Sequence, residues 1–376
     1  MNEQIYLVSY EYFPISNGGL ARHAKEMIDG LIEKDNYKAI IAVPKGNKLK
    51  FQKEVTTIPC TFYSNKYLSY LEFSYKLYFK FRKKFERNKF VFFSSFSCLF
   101  NPFLPKKFYL FITNTTKRVF LTYYPEETLF EKFVRKVTYF FLFRWENYMS
   151  KKAIKIFAIS NSTREDIINQ YEINEDKIKI IPCALNRTIF KSSEQKAIFN
   201  KKLLFVGKLV PRKNIIDFVK IMRLLVNVDK GFVLNLVGEG ESQYVKKIKK
   251  EVFQNNLKKN IIFHGKVTDD ELNKLYESNS IFVFTSLVEG FGLVLLEAMS
   301  KGLPAIAYDV NGVKDVIINN VNGYLVKPFD YHDFKNKILG LIKNNPYYRQ
   351  MSINALRRIN DFSWNTSVQK LINEIK

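Results

Sequence analysis

Residues 280–309, SIFVFTSLVEGFGLVLLEAMSKGLPAIAYD, decide the fold. The run at 281–285 is apolar without alternation, which is typical of a strand that is covered on both faces. A loop with Glu289 and two glycines follows, and the pattern then predicts a helix over 293–299 that a Gly-Leu-Pro turn ends. A second apolar strand begins at 305. Strand, helix and strand in this order predict a βαβ unit of a parallel sheet.

Two glutamates of this stretch, Glu289 in the loop and Glu297 on the helix, stand eight positions apart. Eight helical residues span about 12 Å, roughly the reach from a sugar ring across a diphosphate to a ribose. Glycine lets a backbone approach a ligand closely, and a helix N-terminus attracts phosphate through its free N–H groups. One interpretation therefore gives Glu289 the hydroxyls of a sugar and Glu297 those of a ribose. The other is an acidic helix start and a solvated glutamate, and the spacing alone leaves both open.

The composition is that of a globular protein with a strong positive charge. The 376 residues are 47% hydrophobic and carry a formal net charge of +24. This length allows two domains with ample cores. A membrane surface, a nucleotide sugar or nucleic acid would each be an anionic partner that explains the charge. A lysine-rich coding bias explains it equally well.

Cysteine and histidine usage argues against disulfides and metal binding. The three cysteines, Cys60, Cys98 and Cys183, are odd in number and widely separated, which suits a reducing compartment. The three histidines form no metal-ligand spacing with them. No secretion signal precedes the first predicted strand, and no apolar run has the length of a membrane-spanning helix. We therefore expect a cytoplasmic protein that needs no metal or other cofactor.

Two segments of the first half, residues 66–89 and 130–145, combine aromatic and basic residues. Each pattern predicts an amphipathic helix with a basic outer face. An ordinary core helix explains such a pattern. The alternative is an interfacial surface that rests on anionic lipid.

The residues from Glu289-Gly290-Phe291-Gly292 to Glu297-Ala298 resemble the paired-glutamate motif of retaining, nucleotide-sugar-dependent glycosyltransferases of family 4. The resemblance covers most of 154–376 together with the first loop and helix, whereas residues 47–150 match nothing specific. It implies the α/β fold called GT-B, in which two Rossmann-like βαβ domains face a central cleft. In that fold the C-terminal helix returns to the first domain, and Trp364 is a fitting anchor for it.

The resemblance also implies how the chain divides. Residues 1–190 would form an acceptor-binding domain, 200–355 a nucleotide-sugar-binding domain, and 356–376 the returning helix. The polar residues 191–196 would be the linker between the two domains.

Further matches to the family lie at the ends of predicted strands. The glycines of the loop before His23 would face the donor's diphosphate, while His23 itself is expected to be structural. Gly207-Lys208 stands where the family has Gly-Arg, so the charge is kept but the bidentate fork is lost. The resemblance implies catalytic roles for Glu289, Lys213 and Lys208, and donor contacts from Gly18, Gly19, Gly207, Gly238, Gly265, Val267, Phe291, Gly292, Leu293 and Glu297.

One departure concerns the acceptor side. The family often has a histidine after the strand predicted at 108–113, and Thr113 or Asn114 stands there in this chain. The missing histidine takes a common active-site group from the first domain, but it leaves the donor residues in place.

The activity that the resemblance implies is retaining sugar transfer from a UDP- or GDP-sugar to a glycan or lipid-linked acceptor. Surface polysaccharide biosynthesis, at the inner face of the plasma membrane and without a nucleic-acid partner, would be its setting. No side chain is an obvious nucleophile. The anomeric configuration would therefore be retained because the acceptor attacks the sugar on the same face that the leaving group departs from. Two other classes stay open: a non-catalytic, membrane-associated GT-B subunit, and a basic nucleic-acid-binding protein.

Overall fold

The structure is a computed structural model that describes residues 3–16, 18–34, 36–63, 66–101, 103–120, 129–185, 199–240 and 242–375. These residues fall into two compact units. The first comprises the described residues within 1–121, 127–183 and 364–376, and the second those within 184–363. The segment predicted to be the linker, 191–196, lies outside the described residues.

The first unit is built on a seven-stranded parallel sheet. Its strands are β1 (Ile5–Ser9), β2 (Tyr37–Pro44), β3 (Val55–Cys60), β4 (Lys89–Phe92), β5 (Lys107–Ile112), β6 (Ile156–Ala158) and β7 (Ile178–Ile180). Its helices are α1 (Gly19–Ile32), α2 (Lys66–Phe85), α3 (Thr116–Phe120), α4 (Leu129–Lys152), α5 (Asn161–Tyr171) and the C-terminal α12 (Trp364–Ile375). The strand order β3-β2-β1-β4-β5-β6-β7 reverses direction between β1 and β4.

Strand β4 corrects the interpretation of residues 66–89 as one helix. The helix ends at Phe85, and the N–H groups of Arg87 and Asn88 both donate to the carbonyl of Lys84 to close its last turn. β4 follows at once and pairs in parallel with both β1 and β5. Its last three residues, Phe90 to Phe92, are buried, and so short an apolar run does not distinguish a strand from a buried helix.

The N-cap of α5 is a second correction, because the run Ala158-Ile159-Ser160-Asn161-Ser162 predicts a helix that Asn161 or Ser162 caps. Ser160 caps the helix instead: its backbone is extended, and its hydroxyl accepts a hydrogen bond from the N–H of Thr163. The preceding residues form β6, so the extended conformation that an N-cap needs continues directly from the strand.

The C-terminal helix α12 packs on α1, as the resemblance implied. Val368 lies so close to Gly30 that a Cβ at residue 30 would be 2.9 Å from its Cγ2 atom. The Ser367 hydroxyl donates to the carbonyl of Pro182 at 2.8 Å, and Lys155 pairs with Glu374 at 2.6 Å. The two ends of the sequence are therefore parts of one core.

The second unit is a six-stranded parallel sheet in the order β10-β9-β8-β11-β12-β13. The strands are β8 (Lys202–Val206), β9 (Val233–Val237), β10 (Ile261–Gly265), β11 (Ile281–Phe284), β12 (Ala305–Tyr308) and β13 (Gly323–Val326). The helices are α6 (Ile216–Val226), α7 (Ser242–Gln254), α8 (Asp269–Ser278), α9 (Leu293–Ser300), α10 (Tyr331–Lys343) and α11 (Asn345–Arg358). β11, α9 and β12 are the βαβ unit that the sequence predicts, and β11 pairs in parallel with β12.

In the part of the chain that the structure describes, no helix has both the length and the apolar character to cross a membrane. Each of the two units contains one parallel sheet and is Rossmann-like.

Candidate functional site

Three of the predicted glycines lie side by side at the carboxyl edge of the second sheet. Gly207 follows β8, Gly238 follows β9, and Gly265 ends β10, and these three strands are neighbours. The N–H of Gly238 donates to the carbonyl of Gly265 at 2.8 Å, and that of Gly207 to Val237 at 3.0 Å. Gly238 has a φ of +130°, and a Cβ there would meet the Gly207 carbonyl oxygen at 2.0 Å. Only glycine fits this close approach of two loops.

The strand order of this sheet reverses between β8 and β11, and the loops after these two strands bring Lys213 and Glu289 together. Lys213 ends a short 3-10 helix after β8, and Glu289 lies in the loop after β11. Their side chains form an ion pair between Nζ and Oε2, and both are largely buried. The Lys213 ammonium also lies 4.6 Å from the centre of the Phe284 ring.

The electrostatics of the pair favour a carboxylate at Glu289. Burial by itself would raise the pKa of its carboxyl, but the positive charges of Lys213 and Arg212 outweigh that effect and bring the pKa below its ordinary value. Burial lowers the pKa of the Lys213 ammonium, and the attraction of Glu289 offsets this only in part. The pair is a cation and an anion withdrawn from water, and both are suited to polar groups of a ligand.

Backbone contacts fix the two loops to each other. The Thr285 hydroxyl lies 3.2 Å from the carbonyl of Lys213 and 3.1 Å from that of Asn214. The N–H of Leu287 donates to the carbonyl of Arg212 at 2.9 Å. The position of Lys213 against Glu289 therefore depends on backbone as well as on the side chains.

A buried carboxylate, that of Asp217, supports the loop that carries Lys213. Sequence analysis did not indicate this residue. Asp217 accepts hydrogen bonds from the Tyr308 hydroxyl at 2.7 Å, from the Tyr331 hydroxyl at 3.0 Å and from the Asn214 amide. An aspartate in the first turn of a helix is so common that its sequence position gives no signal of this network.

Gly312 touches the Glu289 loop from another side. It lies after β12 with a φ of +84°, and a Cβ there would come within 2.4 Å of the Glu289 carbonyl oxygen. Sequence analysis did not indicate this contact, because nothing in the residues next to Gly312 reveals it.

The N-terminus of α9 lies next to Glu289. Gly292 is the N-cap, with a φ of +91°, and the helix begins at Leu293. Its first N–H groups have no intrahelical acceptor and suit an anion. The Phe291 side chain is buried against the Phe362 ring, 5.4 Å away between centres. Only the backbone of Phe291 is therefore available to a ligand.

Glu297 lies one helical turn from the C-terminal end of α9 and is buried. The Tyr276 hydroxyl of α8 donates to its Oε2 atom at 2.8 Å. The interpretation of Glu297 as a solvated glutamate is therefore wrong. Tyr276 is a second residue that the sequence alone did not indicate.

The other predicted residues are more exposed or belong to the first unit. Lys208 is exposed and Val267 is half-buried, in the loops after β8 and β10. Gly18 and Gly19 lie after β1, where α1 begins, and Gly18 has a φ of +138° with open space around its Cα. These two glycines are parts of the first unit, whereas the rest of the predicted site is in the second.

His23 and His264 have structural surroundings. His23 is buried among the rings of Phe93, Phe111 and Trp364. The Nε2 atom of His264 lies 2.8 Å from the Asn235 amide oxygen. The described residues contain no group of three or more His, Cys, Asp or Glu that could bind a metal ion.

Two family comparisons cover the two halves of the chain. Residues 17–188 match the family model Glycosyltransferase Family 4, and residues 186–358 match the family model Glycosyl transferases group 1. The chain belongs to glycosyltransferase family 4. The match includes residues 47–150, in which the sequence motifs alone gave no resemblance.

Solved structures of similar fold confirm GT-B for this family 4 chain. WaaG, a glycosyltransferase involved in lipopolysaccharide biosynthesis, has a TM-score of 0.76 at 17% identity over 99% of both chains. Anabaena Alr3699/HepE, solved with UDP and glucose, has a TM-score of 0.74 at 17% identity, over 100% of this chain and 99% of its own.

A curated relative is the poly(ribitol-phosphate) alpha-N-acetylglucosaminyltransferase of Staphylococcus aureus. It is 28% identical over 61% of this chain and 45% of its own length. The family 4 chain spans about half the length of the curated relatives it matches.

Proposed function

We propose that this chain transfers a sugar from a nucleotide-sugar donor, a UDP- or GDP-sugar, to a glycan or lipid-linked acceptor. The observation that carries the proposal is the Lys213–Glu289 pair, which lies where the strand order of the second sheet reverses. Ligands of open parallel sheets bind at such reversal points. The ammonium suits a diphosphate and the carboxylate suits sugar hydroxyls, so a sugar diphosphate fits the pair as a whole.

The leaving group is stabilised by cations and by the end of a helix. Lys213 and Lys208 neutralise the charge that develops on the nucleoside diphosphate as its bond to the sugar breaks. The backbone N–H groups of Phe291, Gly292 and Leu293 add the positive end of the α9 dipole. In the first unit, the backbone at Gly18 and Gly19 is also suited to a diphosphate.

The nucleoside is bound along the carboxyl edge of the second sheet. Glu297 accepts hydrogen bonds from the ribose, and Tyr276 orients its carboxylate through the hydrogen bond at 2.8 Å. The glycine turns at Gly207 and Gly238 accommodate the nucleotide, and the backbone from Gly265 to Val267 borders the base.

The chemistry is a substitution at the anomeric carbon with retention. The bond from that carbon to the β-phosphate oxygen breaks, and a bond to the acceptor hydroxyl oxygen forms on the same face. The departing phosphate takes the acceptor's proton, so charge and atoms balance without an enzyme nucleophile. Glu289 fixes the sugar through its hydroxyls while this occurs.

The acceptor binds to the first unit, within residues 1–190, and the donor to the second, within 200–355. Among the residues that the structure describes, the Asn114 amide oxygen is buried without a hydrogen-bond partner. We assign it to the acceptor side in place of the family's histidine. Surface polysaccharide is the proposed setting, at the cytoplasmic face of the membrane. Support comes from WaaG, which is involved in lipopolysaccharide biosynthesis, and from the relative that acts on poly(ribitol-phosphate).

A thermal-shift screen against UDP-, GDP- and ADP-sugars tests donor binding. A ligand at a hundred times its dissociation constant stabilises the folded protein by about 2.7 kcal/mol. Glu297→Ala should abolish most of this shift and Tyr276→Phe should reduce it, whereas Glu289→Ala should keep the shift and lose turnover. Glu165→Ala, an exposed glutamate on α5, is the control.

Two results would contradict the proposal in different ways. Sugar transfer at the wild-type rate by both Glu289→Ala and Glu297→Ala would overturn the site. A nucleotide-sugar shift without transfer to any glycan or lipid-linked acceptor would instead favour a non-catalytic subunit that binds the donor.

A further inference from the structure

One side of α4 presents a stripe of large apolar side chains to solvent. Leu129, Phe133, Phe140 and Phe141 are exposed to 85%, 64%, 53% and 55% of their surface. Successive turns bring residues three and four apart to the same side of a helix, so the first three lie on one line together with exposed Val137. So large an apolar stripe on the surface marks an interaction site.

Ring contacts link the C-terminal part of α4 to the loop before β5, and that loop to α2. The rings of Tyr148 and Trp145 on α4 are 5.7 Å apart, and Trp145 lies 5.6 Å from Phe100 in the loop before β5. From the same loop, Phe103 stacks on Tyr78 of α2 at 4.8 Å. We call the exposed aromatic side chains of these three segments the aromatic face: Tyr75, Phe79, Phe100, Phe103, Phe133, Phe140, Phe141 and Tyr148.

The inner contacts of both segments hold the aromatic face in place. Glu146 on the buried side of α4 accepts hydrogen bonds from the Ser95 hydroxyl at 2.9 Å and the Thr116 N–H at 3.1 Å. The Asn101 amide donates to the carbonyl of Ser74 on α2 at 3.1 Å, which fixes the connecting loop. The exposed rings are thus carried by elements whose opposite sides are packed and hydrogen-bonded.

The two helices that carry the rings also carry exposed cations. The Arg144 guanidinium lies 5.5 Å from the centre of the Phe140 ring, within the face itself. The other exposed basic residues of the two helices are Lys80, Arg82, Lys83 and Lys84 on α2 and Lys132, Lys136, Lys151 and Lys152 on α4. On α4 the acidic side chain that the structure describes, Glu146, is buried. The face therefore combines apolar bulk with positive charge.

We propose that the aromatic face docks on the surface of an anionic lipid bilayer, with α4 lying in the plane of the interface. Phenylalanine and leucine on one side and lysine and arginine along the flanks are the pattern of an interfacial helix. The rings would enter the boundary between head groups and acyl chains, and the cations would contact anionic head groups.

The chemistry of the face favours lipid over other partners. A second copy of this chain would bring like charges together, which opposes association. A single-stranded nucleic acid would use the cations and could stack its bases on the rings, but it offers nothing to the aliphatic side chains of Leu129 and Val137 on the same stripe. A bilayer satisfies both kinds of side chain at once.

Vesicle co-sedimentation of the full chain tests the proposal, with phosphatidylcholine vesicles that contain or lack phosphatidylglycerol. The variant Phe133→Ser/Phe140→Ser/Phe141→Ser should bind the anionic vesicles about tenfold more weakly, because three rings no longer enter the interface. The matched control is Phe253→Ser/Phe329→Ser in the second unit, where the two rings are 60% and 54% exposed. It should bind as the wild type does.

A second pair of variants isolates the charge. Lys132→Gln/Lys136→Gln should weaken binding to anionic vesicles by roughly fivefold for each cation, and salt should weaken the wild type likewise. Lys246→Gln/Lys250→Gln on α7, also exposed, is the control. Each variant's folding is checked by its thermal unfolding and by its nucleotide-sugar shift, neither of which involves the aromatic face.

Four outcomes would overturn the proposal. The aromatic variant could bind vesicles as tightly as the wild type, or the second-unit control could lose as much binding. A single-stranded RNA could be retained where anionic vesicles are not, or the wild type could dimerise through this face. None of these outcomes bears on sugar transfer, so the proposal stands or falls independently of the proposed function.

Discussion

At the scale of single residues, the Lys213–Glu289 pair can be separated from an ordinary buried ion pair by experiment. Lys213→Met leaves the Glu289 carboxylate buried without its cation, so the folded state should lose about 3–5 kcal/mol. Turnover should fall about 100- to 1,000-fold, as when one group that stabilises a developing anion is removed. Thermal unfolding and the initial rate of sugar transfer measure the two effects.

The same unit contains a second buried lysine for comparison. Lys301 is buried and forms an ion pair at 2.8 Å with Glu277, whose side chain is 45% exposed, so Lys301→Met leaves the partner carboxylate in contact with water. Lys301→Met should destabilise the protein, and the rate of transfer by its folded fraction should stay at the wild-type value. If both variants lost stability and turnover in the same proportion, Lys213 would have a structural role only.

At the scale of elements, the contact of Gly312 with the Glu289 loop predicts a loss of activity without a loss of fold. Gly312→Ala would place a Cβ against the Glu289 carbonyl oxygen, so the loop must move. We expect turnover to fall at least about tenfold, since a displacement of about 1 Å at a catalytic group has effects of this size or larger. Circular dichroism should show unchanged secondary structure.

Gly340 on α10 is the control for this substitution. A Cβ there meets no atom within 4 Å. Gly340→Ala should keep full activity and stabilise the protein by roughly 0.5–1 kcal/mol, because alanine favours the helix. Wild-type turnover in Gly312→Ala would show that the loop does not need the position that Gly312 gives it.

Elements with a long, regular pattern were predictable, and short ones were not. The βαβ unit around Glu289 follows from two apolar runs and a glycine-rich loop, and β11, α9 and β12 lie as expected. β4 was missed because three apolar residues after a basic helix carry no period of their own. Its neighbours β1 and β5 are distant in sequence, and only their pairing reveals it as a central strand.

For the candidate site, the sequence predicted the two residues of the ion pair but not the residues that support them. Lys213 and Glu289 were selected from motifs, and the structure brings them together. Tyr276, Asp217 and the contact of Gly312 were missed, because each acts through a neighbour far away in sequence. Contacts of that kind leave no local pattern from which they could be inferred.

At the scale of the whole molecule, the C-terminal helix packs against the first helix of the chain. Trp364 at the start of α12 lies 5.7 Å from His23 on α1, measured between ring centres. Among the residues that the structure describes, both nitrogens of His23 and the indole nitrogen of Trp364 are buried without a hydrogen-bond partner. The junction of the two ends is therefore apolar. None of the described groups that contact His23 there would stabilise a positively charged imidazole.

This junction makes the stability of the first unit depend on pH. Burial lowers the pKa of His23 from 6.5 to about 4. In this range the unfolded chain binds a proton that the folded chain excludes, so the contribution of His23 to stability falls as pH drops from 6.5 toward 4 and changes no further below that. Between pH 7.5 and pH 5 the wild type should lose about 2 kcal/mol more than His23→Phe, in which phenylalanine occupies the same aromatic surroundings.

Both tryptophans, Trp145 and Trp364, lie in the first unit, so denaturant unfolding followed by their fluorescence reports on it. Exposed His332 provides the control His332→Gln, which should lose as much stability as the wild type. Equal losses in the wild type and His23→Phe would mean that His23 can be protonated without opening the contact between α1 and α12.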